Sequence, residues 1–98
     1  MAQVELAVAA VQDLQRLIAV MSLPGNTTTR VRQALQPLQD FPRLGPELTG
    51  RWRPLRFLLG PWRWMLLIYS YDEDTDRVVV VTIQDARSEV AATSSLEL

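Results

Sequence analysis

Apolar and polar positions follow two different rhythms along this chain. From Val8 to Phe41 the apolar residues recur at helical spacing. Val11, Leu14, Leu17, Ile18 and Met21 form one stripe, with Gln12, Asp13, Gln15 and Arg16 opposite. That pattern predicts an amphipathic helix of about three turns. Pro24-Gly25 ends it, and Asn26 to Thr29 offers N-cap side chains for a second helix. Val31, Ala34, Leu35, Leu38 and Phe41 make the second stripe. The short loop makes the two helices an antiparallel hairpin over about 8–41. Pro37 must bend the second helix or interrupt it, because it lacks a donor and crowds the preceding turn. Ahead of the hairpin, Val4-Glu5-Leu6 alternates like a short edge strand.

From residue 51 to residue 84 the rhythm changes to three apolar blocks, Trp52–Leu59, Trp62–Tyr71 and Val78–Ile83. Gly60-Pro61 separates the first pair and Asp72-Glu73-Asp74-Thr75-Asp76 the second, both turn signals of hairpin length. Aromatic and β-branched residues fill the blocks, as strands prefer. Short loops demand antiparallel neighbours, since a parallel return needs a long crossover. The expected fold is therefore α+β: an N-terminal helix hairpin on a small, mainly antiparallel sheet of one short N-terminal strand plus a three-stranded meander. Residues 1–98 read as one domain, with 88–98 as a short C-terminal tail. In the middle block Arg63, Met65, Leu67, Tyr69 and Tyr71 share one face, while Trp64, Leu66, Ile68 and Ser70 share the other. Both faces are apolar, so this strand should be central. The helices can cover one face; the other calls for the C-terminal tail or a partner. Pro54 places the first block at an edge or a bulge.

Composition narrows the chemistry. The chain of 98 residues has no cysteine and no histidine, which removes thiolate chemistry, the commonest zinc ligand and the commonest general base. All ten basic residues are arginine, so every positive side chain is a planar fork that stays protonated. A net charge of −1 conceals an uneven distribution. Arg43, Arg51, Arg53, Arg56 and Arg63 face only Glu47 between residues 41 and 71, whereas the acids collect after residue 72. Asp72 to Asp76 has the carboxylate spacing that opens an EF-hand loop, but Arg77 stands where glycine is required and Ile83 where the closing glutamate is required. No metal and no cofactor are expected. No apolar run is long enough to span a membrane, and MAQVELAVAAVQ carries Glu5 in place of a basic leader, so a cytoplasmic protein is expected.

Four phrases, in order, resemble the RelE/ParE superfamily of toxins from type II toxin–antitoxin modules. Val4–Leu6 followed by AAVQDLQRLI is similar to the opening strand and first helix. LQDFPRLG, Leu38 to Gly45, is similar to the close of the second helix. GPWRW at 60–64 resembles the glycine–aromatic–arginine approach to the central strand. VVVVTIQDARSEVA at 78–91 is similar to the last strand and its exit. The chain departs from the family where histidine often precedes the last arginine, here Gln84-Asp85-Ala86, and where RelE-like members carry tyrosine, here Ala91.

That resemblance implies an antitoxin partner and, for the RelE-like branch, cleavage of mRNA on the ribosome by attack of a ribose 2′-hydroxyl on the adjacent phosphate. Arg63 and Arg87 match positions that contact this phosphate. Arg53 and Arg56 lie where the family places further basic residues on the neighbouring strand, and with Arg51 they are the nucleic-acid-binding candidates. Tyr69, Tyr71, Asp85 and Glu89 are the acid–base candidates, since arginine does not give up its proton. Trp64, Leu66 and Ile68 are the candidate antitoxin-binding face. Two alternatives stay open: a ParE-like inhibitor of DNA gyrase, which needs no acid–base pair, and a catalytically silent antitoxin-binding homologue. Either a homodimer or a toxin–antitoxin hetero-oligomer fits the resemblance.

Overall fold

A computed structural model describes residues 1–87, so Glu89 and the tail 88–98 lie outside the described residues. The chain opens with strand β1 (Gln3–Leu6) and helix α1 (Val8–Met21). Helix α1 stops where Ser22 turns left-handed (φ 52°) and the Leu23 N–H reaches back to the Ile18 carbonyl. Helix α2 (Thr27–Leu35) follows. The Thr27 hydroxyl, buried at its start, donates to the Pro24 carbonyl at 2.6 Å and closes the loop between the helices. At Pro37 the helix neither continues nor restarts: it tightens into a 3-10 turn, Gln36–Gln39, whose shorter hydrogen-bond step tolerates the missing donor.

The meander forms as expected. Strands β2 (Arg56–Leu59), β3 (Met65–Asp72) and β4 (Arg77–Asp85) pair antiparallel in sequence, and β1 joins the far side of β4 in parallel. The sheet order is β1-β4-β3-β2. β2 is shorter than its apolar block because Gly50–Trp52 forms a 3-10 turn and the strand begins only after Pro54. Being an edge strand, it agrees with the constraint that proline imposes.

Helices α1 and α2 cover one face of the sheet. Ala10, Leu14, Val31, Leu35 and Leu38 meet Met65, Leu67, Tyr69, Val78, Val80 and Ile83 in one buried cluster. Burial of each such aliphatic side chain contributes about 1.5–3 kcal/mol. Inward residues of β4 change from even to odd numbers, Val78 and Val80 and then Ile83, because Val81 is unpaired. Ile68 opposes Thr82 and Tyr69 opposes Val80, a β-bulge that inserts one residue.

Two expectations are corrected. Phe41 does not extend the second stripe; the 3-10 turn rotates it outward and it is 64% exposed. The second face of β3 does not await the tail or a partner. Leu66 (1% exposed) and Ile68 (0%) are buried under Leu48, Trp52, Leu55 and Phe57. That cover comes from the irregular stretch before β2 and from β2 itself, tied down by the backbone bond from Leu48 N–H to the Leu55 carbonyl (2.8 Å).

Candidate functional site

One end of the sheet gathers Arg63, Arg87 and two tryptophans. The pairing of Met65 with Asp85 is carried one step further by the Ala86 N–H, which donates to the Trp64 carbonyl at 2.6 Å. The ladder thus brings the backbone of Arg63 and Arg87 to the same place, just beyond β3 and β4. The turn before β3 is pinned by Gly60 N–H to Met65 carbonyl (2.8 Å) and Met65 N–H to Trp62 carbonyl (3.0 Å). A Cβ on Gly60 would stand 2.8 Å from Met65 Sδ, so glycine lets this turn close.

Arg87 is held from three sides. Its Nε donates to Asp85 Oδ1 at 3.0 Å and its Nη2 to Asp85 Oδ2 at 3.1 Å, a bidentate fork. Its guanidinium lies 4.8 Å from the centre of the Trp64 ring, and Nη2 reaches the Met21 sulfur at the end of α1 (3.8 Å). Trp64 stacks on Trp62 with centroids 6.0 Å apart and planes 18° apart. On Trp62 in turn lies the guanidinium of Arg30 from α2, at 4.8 Å. The result is a ladder of cation, indole, indole and cation across both helices and the sheet end. Each cation–indole contact contributes about 0.5–1 kcal/mol at an exposed site. Because Trp64 lies in the turn ahead of β3, strand alternation does not govern it, and it packs against the helix-side cluster rather than beside Leu66 and Ile68. Trp64 alone of the expected antitoxin-binding residues is left partly exposed.

Electrostatics at this end favour anions. Arg30 and Arg63, like Arg32 and Arg51 elsewhere, have no carboxylate within 4.0 Å among the described residues, whereas Arg16, Arg43, Arg53, Arg56, Arg77 and Arg87 are all paired. Asp85 is held below the usual carboxylate range, chiefly by its hydrogen bonds from Arg87. Arg87 is raised by the same contact. Asp85 is therefore an orienting carboxylate first, and a weak base.

The remaining expected site residues stand elsewhere. β3 begins at Met65, and at about 3.4 Å per residue Tyr69 lies ~14 Å further along it and Tyr71 ~20 Å. Both phenols were expected to stand by Arg63 because they share its parity; parity names a face and says nothing of distance along the strand. Tyr69 is buried in the helix-side cluster, and its oxygen accepts the Gly45 N–H at 3.0 Å. Burial raises its pKa, against the opposing effects of Gly45 and Arg56. Tyr71 donates to Asp76 Oδ1 at 2.8 Å, which raises its pKa too. Neither phenol is poised as a base.

Arg56 opposes Tyr69 across the sheet, so the Arg51–Arg56 group also lies at this far end. There Arg56 Nη1 donates to the Gly45 carbonyl (2.8 Å), while Arg53 (3.7 Å) and Arg56 (4.0 Å) pair with Glu47. Arg51 lies against Trp52, 5.8 Å from its ring centre. These arginines are separate from the Arg63–Arg87 end. Sequence reasoning missed Arg30; the Trp-Arg-Trp run at 62–64 was the available signal for an aromatic platform, but nothing local links it to a helix residue so far back.

By sequence, no family model and no curated protein matches the chain. By structure it is similar to three toxins. It matches a chain of the RelBE2 toxin–antitoxin complex of Mycobacterium tuberculosis with a TM-score of 0.63 at 20% identity, covering 86% of this chain and 90% of that one. A metal-bound toxin from Helicobacter pylori gives 0.59 at 16% identity, covering 87% and 94%. A double arginine-to-alanine variant of the Escherichia coli toxin RelE, in the free state, gives 0.63 at 12% identity, covering 99% and 97%. In this chain no three acidic side chains cluster as a metal site among the described residues. No described helix is long and apolar enough to cross a membrane. Two helices on a four-stranded open sheet, in this order and this connectivity, give the chain the fold of RelE-type toxins.

Proposed function

We propose that this protein is the toxin of a type II toxin–antitoxin pair and acts as a RelE-like, ribosome-dependent mRNA endonuclease. The observation that supports this reading is the backbone ladder that carries Arg63 and Arg87 to one sheet end, with Arg87 oriented by Asp85 and Trp64. Two guanidinium groups suit the oxygens of a phosphate under attack, where negative charge grows as the 2′-hydroxyl adds. Fixing Arg87 in advance spares the reorganisation that a free side chain would require. Removal of the hydroxyl proton is the weak step, since Asp85 is engaged and both tyrosines are distant. Cleavage then relies on charge stabilisation and on groups that the ribosome supplies.

That same scarcity of a base favours a second reading, inhibition of DNA gyrase without cleavage. Cell-free translation with primer extension separates the two. New mRNA ends within translated codons, absent with Arg63→Ala and Arg87→Ala, support the nuclease. Intact mRNA together with blocked supercoiling supports gyrase. In either case an antitoxin is the expected partner, as the RelBE2 toxin has in its complex. Trp64 and the outer surface of the helix hairpin are the docking surface that remains after Leu66 and Ile68 are buried.

A further inference from the structure

The geometry points to the Arg30–Trp62–Trp64–Arg87 ladder as a stacking site for unpaired bases of single-stranded RNA beside the scissile phosphate. This deepens the nuclease reading and rests on it for the identity of the nucleic acid. Three observations converge. Trp62 and Trp64 are only partly buried although they are the bulkiest residues of their turn, so indole surface is left at the protein boundary. The two rings are already parallel, offset and rigid, held by the turn bonds between Gly60 and Met65 and by the pairing of Trp64 with Ala86. Both ends of the stack carry a guanidinium at 4.8 Å, and Arg30 has no carboxylate partner among the described residues.

Aromatic rings with interleaved arginine are how proteins hold single strands, because every base has a π-face and every nucleotide a phosphate. In the free protein each guanidinium occupies an indole face. When RNA binds, the guanidinium swings to a phosphate and a base takes the vacated face. Arg87 is tethered by Asp85 and moves least, so Trp62, with the untethered Arg30, is where the base enters. Trp62 and Arg30 are thus binding residues, placed two and three stacking steps from the Arg87 guanidinium.

Indole fluorescence tests this directly. Trp52 packs with Leu48, Leu66 and Ile68 on the opposite face of the sheet, and its Nε1 has no hydrogen-bond partner, so Trp52→Phe gives a background in which only the ladder reports. The probe is a short single-stranded RNA with 2′-O-methyl riboses, which binds but cannot be cut. Emission should be quenched on titration. Trp62→Leu should weaken binding about tenfold, a loss within the range seen when one base–aromatic stack is removed. Arg30→Gln, a helix-surface change that leaves the turn untouched, should flatten the dependence of log K on log salt by about 0.7. Unquenched emission, or equal affinity and equal salt slope in both variants, overturns the proposal. Its failure is distinguishable from that of the nuclease reading. Ribosomal cleavage that persists in Trp62→Leu with unchanged RNA affinity sinks the stacking site alone. Weakened RNA binding in a protein that never cuts sinks the nuclease alone.

Discussion

Tyr69→Phe discriminates between a catalytic and a structural phenol. The Tyr69 oxygen is the acceptor for the Gly45 N–H, and both residues are buried. Gly45 cannot move away to find another acceptor or water, because the Arg56 guanidinium holds its carbonyl at 2.8 Å. Removing the phenol oxygen therefore leaves a buried donor unsatisfied, which costs about 1–3 kcal/mol. In a domain of this size each kcal/mol lowers the melting temperature by roughly 4–8 °C. The expected result is a Tm at least about 4 °C lower by differential scanning calorimetry. Well below that Tm, cleavage or gyrase inhibition should be unchanged, because Tyr69 lies ~14 Å along the strand from Met65, where the strand leaves the Arg63 turn. An unchanged Tm with activity reduced a hundredfold would refute the argument and return Tyr69 to the chemistry.

Other outcomes follow from the same geometry. Gly45→Ala should destabilise by about 1–3 kcal/mol in urea unfolding, since its Cβ would fall 2.1 Å from the Phe57 carbonyl oxygen, a backbone atom that cannot yield without shifting β2. Leu66→Ala should cost about 2–5 kcal/mol of stability while leaving antitoxin affinity intact at temperatures where the protein stays folded; lost antitoxin affinity at full stability would show the face open. The folded-state pKa of Asp85 lies below its ordinary value of 3.8, so its bond to Arg87 stabilises the protein above that pH and is lost as pH falls through the lower folded value. Wild type should thus exceed Asp85→Asn in stability near neutrality and converge with it in acid, and a gap that persists at the acid end would disprove the linkage.

Element order was legible because each boundary has local chemistry behind it. Pro24-Gly25, Gly60-Pro61 and the acidic run Asp72 to Asp76 interrupt apolar periodicities that are otherwise unambiguous. The faces of β3 were legible as well, since Met65, Leu67 and Tyr69 do meet the helices. What sequence alone does not carry is distance and aperiodic cover. Alternation grouped Tyr69 and Tyr71 with Arg63, although the strand's own length separates them. Leu48 follows no period, and Trp52 and Leu55 read as the start of the first strand block, so nothing in the sequence marks the irregular segment that buries Leu66 and Ile68. The bulge at Val81 has no local marker among four consecutive valines, yet it decides which residues of β4 face inward. Arg87 was found through its neighbours in the chain; its contacts with Trp64 and Met21 arise only from tertiary packing.

The place of β4 has a consequence for biosynthesis. Among the described residues it is the last strand to be made, yet it lies between β1 and β3, and β1 has no other neighbour among the described strands. A nascent chain that has emerged only as far as β3 carries a helix hairpin and one β-hairpin, with the parallel pairing of Val4 to Val78 still missing. Such long-range pairing is slow and stabilises nothing until both ends are present. Sheet closure, burial of α1 against Val80 and Ile83, and the arrival of the Arg87 backbone beside that of Arg63 therefore coincide in one late event. While β4 is still inside the exit tunnel, the growing polypeptide can complete neither its sheet nor the end where the Arg63 and Arg87 backbones come together.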